Sequence, residues 1–422
     1  MLKAMGKTIA EKILALHSGR EVSASEIVLA QVDLLMGHDW NSHLTIQVLK
    51  DMGVEKVFVP GKAFLVLDHA VPSPNEKVSE MQRATEEFAR EQGIRFYPSG
   101  QGICHQLLPE QGHVAPGMLV VGCDSHTPTY GAVNAFAVGV GSTDTAAALA
   151  SGHLWFRVPQ TMKVLLENKL PKGVYAKDLA LRIIGDATAE GANYMAVEFG
   201  GSGVGHLSMD ARFTLSNMAA EMGAKAALFE ADEVTKAWLK PRIAHPYGTI
   251  SPDPDASYSR LLEWDLSSFV PQIARPHRVD DVVPITELEG TRVHQGVLGT
   301  CTNGRLEDLG VAAQILKGRR IFPGFRLIVV PASKEVLLAA VRSGILEDLV
   351  ESGAMIVPPG CGPCHGASQG VPRDGENVIS SSNRNFKGRM GNNKSFIYLA
   401  SPASVAAAAV EGKVADPRKY LG

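Results

Sequence analysis

The stretch RLIVVPASKEVLLAAVRSG (326–344) decides the fold. Its opening RLIVVPA (326–332) is an apolar run of strand length, and SKEVLLAAVRSG (333–344) carries a helical pattern. The same alternation recurs along the chain. VEKVFVP (54–60) is read as a buried strand. EKVSEMQRATEEFAREQG (76–93) is read as a helix, with Val78, Met81, Thr85 and Phe88 near helical spacing and Gly93 as its stop. GMLVVGCDSHT (117–127) is a strand running into a polar turn, and TDTAAALASGHLWF (143–156) is an Ala-rich helix. Strand, polar loop and helix in repetition predict an α/β fold with largely parallel sheets. Reactive side chains then belong on the loops that leave the strands.

A chain of 422 residues exceeds what one core usually serves, so two or three domains are expected. The segment 240–287 breaks the rhythm with seven prolines from Pro241 to Pro284, which reads as a crossing between domains. The expected division is three α/β domains, 1–130, 131–285 and 286–422, around a central cleft. A faint likeness between GSTDTAAALASG (141–152) and CTNGRLEDLGVAAQILKG (301–318) hints at related α/β units.

Apolar residues make up 45% and charged residues 20%, an ordinary globular balance. The formal net charge is −3, from 41 basic and 44 acidic side chains, and no Lys/Arg block stands out. That argues against nucleic-acid and membrane-surface roles. No apolar run reaches the length of a membrane span. The first twenty residues are too polar for a signal peptide, and Glu11 sits badly in a transit peptide, so a cytoplasmic protein is expected. Five cysteines are too few and too odd in number for a disulfide framework.

Three groups of residues carry chemistry. Cys361 and Cys364 lie in IVPPGCGPCHGASQG (356–370), where glycines let the loop bend both sulfurs towards one centre. Cys301 lies in LGTCTNGR (298–305), a strand end opening into a helix. A zinc ribbon wants four ligands at paired spacing, and an electron-transfer cluster wants four cysteines. Three cysteines suit a cluster with one site open. Spacing alone leaves a second reading beside it, with Cys301 a small buried hydrophobe. Asp68 and His69, His105, Asp124 with Ser125 and His126, and Glu198 form an acid–base set, each placed by its apolar neighbours at a loop that could reach a shared cleft. SSSNRNFKGRMG (380–391) supplies Arg384 and Arg389, suited to gripping a carboxylate.

Taken in order, DH, GICHQ, DSHT, GTCTNGR, GCGPCHGASQG and SNRNFKGRMG resemble the aconitase family of iron–sulfur hydro-lyases nearly end to end. The ending YLASPASVAAAAVEGKVADPRKYLG (398–422) resembles the large subunit of its two-subunit branch, in the shorter archaeal-type version. That branch holds isopropylmalate dehydratase, homoaconitase and 2,3-dimethylmalate dehydratase, the first being the leading expectation. The resemblance implies a [4Fe–4S] cluster on Cys301, Cys361 and Cys364, its fourth iron open to the hydroxyl and a carboxylate of a 2-hydroxy di- or tricarboxylate. Asp68 and His69 would protonate the departing hydroxyl. His105 and His126 would hydrogen-bond the ligand oxygens, Asp124 pairing with His105, and Glu198 would contact the hydroxyl. Asn383 would lie against the cluster. Arg384 and Arg389 would hold a carboxylate, with Ser125 and His38 at the ligand's edge. Cys104 and Cys123 receive no role.

Two departures from the family pattern bear on function. In MGHDWNSHL (36–44), Trp40 and Asn41 stand where relatives usually carry a small residue and Thr, which puts the substrate in question and leaves the reaction class intact. The second is that no swivelling domain is recognisable, so the resemblance implies a separate small subunit that completes the site. The competing expectations are a zinc or redox protein built on the C-x-x-C and an RNA-binding regulator, the latter disfavoured by the charge.

Overall fold

The computed structural model describes residues 6–421; Met1–Met5, the start of the stretch read against a leader, lie outside the described residues. Three α/β sheets account for most of the chain. The first runs Arg95–Tyr97, Ala63–Val66, Leu34–His38, Leu119–Gly122, Phe136–Gly139, every pairing parallel. The second runs Ala226–Phe229, Ala196–Gly200, Thr161–Glu167, Arg260–Asp265, again all parallel. The third has seven strands. Its parallel body is Phe396–Ala400, Asn377–Ser380, Gln295–Gly299, Arg326–Val330, Met355–Ile356, and Gln272–Ala274 and Val282–Pro284 extend it antiparallel.

The parallel strands are apolar on both faces because helices cover both sides. Arg326–Val330 followed by the helix Lys334–Arg342 is the unit expected from 326–344. Val297, Leu327, Val329, Ile379 and Leu399 are buried between sheet and helices; each contributes about 1.5–3 kcal/mol by leaving water. The helix Glu76–Gln92 is opened by the Asn75 side chain accepting from Val78 N and closed by Gly93 at φ 68°.

Two expectations need correction. Residues 54–60 form no strand: Phe58 is exposed, Pro60 opens a short 3-10 turn, and the buried parallel strand is the wholly apolar Ala63–Val66 that follows. Glu55, Lys56 and the donor-less Pro60 could not serve a strand covered on both faces. The Ala-rich helix spans Ser142–Ser151 and stops at Gly152, so HLWF belongs instead to the strand His153–Arg157, antiparallel to Ile27–Gln31. The proline-rich segment supplies the edge strand Arg260–Asp265 to the second sheet and the two antiparallel strands to the third. No helix among the described residues is long and apolar enough to cross a membrane.

Candidate active site

Loops at the carboxyl ends of parallel strands meet in one chamber of about 210 Å³. From the first sheet, Leu34–His38 ends on His38, Ala63–Val66 leads to Asp68 and His69, and Leu119–Gly122 leads to Asp124 and His126. The short helix Cys104–Glu110 adds His105. From the third sheet, Gln295–Gly299 leads to Cys301, Met355–Ile356 to Cys361 and Cys364, and Asn377–Ser380 to Asn383, Arg384 and Arg389. All of these except Asp68, which stands behind His69, line the chamber.

Glycine lets the cysteine loops pack this closely. Gly299 has φ 121°, and a Cβ there would stand 2.0 Å from Val330 O. At Gly360, φ 157°, a Cβ would meet Asp68 O at 2.6 Å. The next residue, Cys361, donates its backbone N–H to that Asp68 carbonyl at 2.8 Å. The buried Arg305 holds the Cys301 turn: Nη2 donates to Cys301 O at 3.0 Å, Nη1 to Thr302 O at 2.8 Å and Nε to Gln106 Oε1 at 2.9 Å. Gln106 is the neighbour of His105, so one guanidinium ties the thiol turn to the histidine helix.

The thiols have polar company. Asn383 Nδ2 donates to Cys301 Sγ at 3.4 Å, Cys364 Sγ lies 3.4 Å from Asn383 Oδ1, and Arg389 Nη2 donates to Cys364 Sγ at 3.3 Å. A hydrogen bond from Cys361 and the Arg389 charge hold Cys364 well below the usual thiol range despite burial. Burial pushes Cys301 up to about 11. Cys104 and Cys123 are buried behind the loops; burial raises both thiols, leaving them small hydrophobes.

Asp124 is the hub of the imidazoles. Its Oδ1 takes His105 Nε2 at 2.7 Å and the backbone N–H of His126 at 2.7 Å, while Oδ2 lies 3.7 Å from His69 Nε2 and 3.9 Å from His38 Nε2. Burial opposes its charge, but His105 and its neighbours outweigh that and hold the carboxylate well below its usual range. Asp68 Oδ1 takes His69 Nδ1 at 2.7 Å and Oδ2 takes Cys104 N at 2.6 Å. Burial lowers the His69 imidazole, yet Asp68 and Asp124 overcome this and raise it well above its ordinary value. His38, stacked on His69 at 3.9 Å, is driven down to about 4 by burial and by the His69 charge. The two carboxylates thus favour a proton on His69 over one on His38. Asp39 orders this loop by accepting from His69 N and Ala70 N, both at 3.0 Å, and from Gln82 Nε2 at 3.1 Å.

Two expected residues are elsewhere. Glu198 is fully buried in the second sheet, away from the chamber; it accepts from Ile9 N at 2.6 Å and Tyr258 Oη at 3.0 Å, capping the helix Ile9–Ser18. Ser125 is exposed and borders a separate depression, its Oγ 3.4 Å from His126 Nδ1.

The carboxylate beside His126 and Arg384 is Glu221, unanticipated from the sequence. His126 Nε2 stands 2.7 Å from Glu221 Oε1, and Arg384 Nε donates to the same oxygen at 2.8 Å. Four residues earlier, Asn217 donates to Cys301 Sγ at 3.4 Å. The signal lay in NMAAEMGAK (217–225), an amide and a carboxylate at helical spacing inside an otherwise apolar run. His365, in the C-x-x-C loop, joins the wall with Nε2 2.5 Å from His69 O. Trp40 lies at the chamber, its ring 5.5 Å from that of His365, and Asn41 Nδ2 donates to Cys123 O at 2.8 Å.

Two of the three α/β sheets turning thiols, imidazoles and arginines into one chamber define the class, a multi-sheet α/β protein built around a thiol-lined acid–base site. The model of the aconitase family (aconitate hydratase) matches residues 11–289 and 285–412. A 3-isopropylmalate dehydratase large subunit from Methanopyrus kandleri is 50% identical over 99% of this chain and 100% of its own. One from Archaeoglobus fulgidus is 49% identical over the same shares. A probable methanogen homoaconitase large subunit from Methanosarcina mazei is 50% identical over 93% of this chain and 100% of its own. Among solved structures, holo aconitase X of Thermococcus kodakaraensis is similar in fold, with TM-score 0.50, 13% identity and 84% of each chain covered. The chain belongs to the aconitase family, and membership implies a [4Fe–4S] cluster.

Proposed function

We propose that this chain is the cluster-bearing large subunit of a hydro-lyase that isomerises 2-hydroxy di- or tricarboxylates by dehydration and rehydration, with 3-isopropylmalate as substrate. The observation that carries the reading is the convergence of three buried thiols, a five-membered Asp–His array and two arginines on one chamber. The donor set fits the cluster. Amide and guanidinium N–H groups face two of the three sulfurs. His105 Nδ1 and Arg389 Nε are buried without a partner, polar groups that a ligand in the chamber would satisfy.

Cys301, Cys361 and Cys364 would hold the cluster. When bound, it supplies an iron with an open position, a Lewis acid for a hydroxyl that leaves poorly by itself. Asp68 orients His69, and the raised imidazole delivers a proton from Nε2 to the departing oxygen. Asp124 fixes His105 through Nε2, leaving Nδ1 for the substrate. Glu221 sets both His126 and Arg384, a positioning role distinct from the hydroxyl contact expected of Glu198. Arg384 and Arg389 grip a carboxylate and stabilise charge as the adjacent carbon loses its proton.

The base and the reader of the third substituent are assigned to a separate small subunit, in keeping with the relatives named as large subunits. The three sheets support three α/β units, with Phe136–Gly139 and His153–Arg157 pairing with first-unit strands rather than lying in the expected 131–285, and the antiparallel pair from 272 to 284 going with the third. The test is reconstitution with iron and sulfide, assayed with and without the small subunit on 3-isopropylmalate, homocitrate-type tricarboxylates and 2,3-dimethylmalate. Turnover of 3-isopropylmalate only with both subunits is expected. Full activity of this chain alone would refute the split site; preference for a tricarboxylate would move the substrate to the homoaconitase type, which the Methanosarcina relative at equal identity favours second.

A further inference from the structure

Lys177 is fully buried, the second residue of the helix Ala176–Ala187. Among the described residues no carboxylate comes within 4.0 Å of its nitrogen. Nζ donates instead to Ser381 O at 3.1 Å and Ser382 O at 2.5 Å, and lies 3.4 Å from Met218 Sδ. A buried cation without a counter-charge is a strongly unfavourable arrangement, and a cation in the first turn of a helix also opposes the helix dipole. The equally buried Arg212, by contrast, meets both Asp232 oxygens at 2.6 Å, while Arg305, like Lys177, donates to backbone carbonyls. The carboxylate next to Lys177 does not help, because Asp178 accepts from Gln272 N and Tyr175 N, both at 2.9 Å.

We propose that Lys177 is a positioning residue whose ammonium is the buried counter-charge for the thiolates of Cys301 and Cys364, while it holds the Ser381 and Ser382 carbonyls that present Asn383 and Arg384. The inference rests on the reading that these cysteines carry a cluster. Metal-bound cysteines are thiolates, so loading adds negative charge to the surroundings of a lysine that no carboxylate among the described residues approaches within 4.0 Å. The groups that favour its charge are, in order, Cys364, Glu221, Cys301 and Asp308. Burial pulls the ammonium down to about 7 even against those charges, so further anionic charge at the thiols would favour its protonated form.

The test compares Lys177→Gln, which keeps a donor for the two carbonyls but no charge, with Lys177→Met, which keeps neither. Each full-length chain is melted before and after reconstitution with iron and sulfide, and the loaded chains are reduced by one electron while followed by EPR. Both variants should gain less melting temperature from loading than the wild type. Both should shift the reduction midpoint downward, changing the reduced-to-oxidised ratio at fixed potential by about tenfold, the order expected of one unit charge across a partly screened interior. A Lys177→Gln chain that keeps the wild-type midpoint and loading gain, or that no longer folds, overturns the proposal. A wild-type chain that stays colourless overturns the cluster reading beneath it, and this inference with it.

Discussion

Glu221 Oε1 stands 2.7 Å from His126 Nε2, across 95 residues of sequence, and Arg384 Nε reaches the same oxygen at 2.8 Å. Burial would raise the carboxyl, but His126 and Arg384 hold it below its ordinary 4.5. Burial and Arg384 would lower the imidazole, but Asp124 and Glu221 hold it above its ordinary 6.5. The carboxylate contributes stability above 4.5 that is lost as pH falls through its lowered value. The imidazole contributes stability below 6.5 that is lost as pH rises through its raised value. Glu221→Gln should therefore lower the His126 titration midpoint seen by NMR. Its stability deficit should be widest between 4.5 and 6.5 and narrow on either side. Activity of the assembled enzyme should fall about 100-fold or more; an unmoved His126 midpoint contradicts the pairing.

Serine at Cys301, Cys361 or Cys364 should abolish the brown colour on reconstitution and remove turnover. Alanine at Cys104 or Cys123, which only fill the packing, should leave iron content unchanged at a modest cost in stability. Iron and sulfide analysis of the five variants separates the two groups.

Gly360→Ala drives a methyl group against Asp68 O. A loss of about 2 kcal/mol or more is expected in denaturant titrations, with turnover falling alongside because the Asp68 and cysteine loops share that contact. Wild-type stability would mean the loops separate freely.

Trp40 lines the chamber while 40% exposed. Trp40→Thr should change the kcat/KM ratio between 3-isopropylmalate and a tricarboxylate by about tenfold or more, with the cluster intact. An unchanged ratio would place all substituent recognition on the small subunit.

The sequence made the α/β alternation legible because buried parallel strands are apolar throughout, as at Arg326–Val330. It misled at 54–60, where three valines and a phenylalanine imitated a strand that lies a few residues later. Cys361 and Cys364 stood out through spacing among glycines and Arg384 and Arg389 as a pair beside them, Asn383 came only with the family resemblance, and the chamber gathers all five. Glu198 and Glu221 could not be told apart locally. Both are lone acids in apolar surroundings, and only the third dimension decides which meets Arg384 and which caps a helix. Ser125 shared a short turn with two chamber residues, but the turn aims it outward.

Cys301 leaves one strand of the third sheet, and Cys361 and Cys364 follow another, with Asn217 reaching in from the second sheet. A nascent or loosened polypeptide offers a metal no more than a two-thiol loop. On the proposed ligand set, iron would enter only after the tertiary structure has closed.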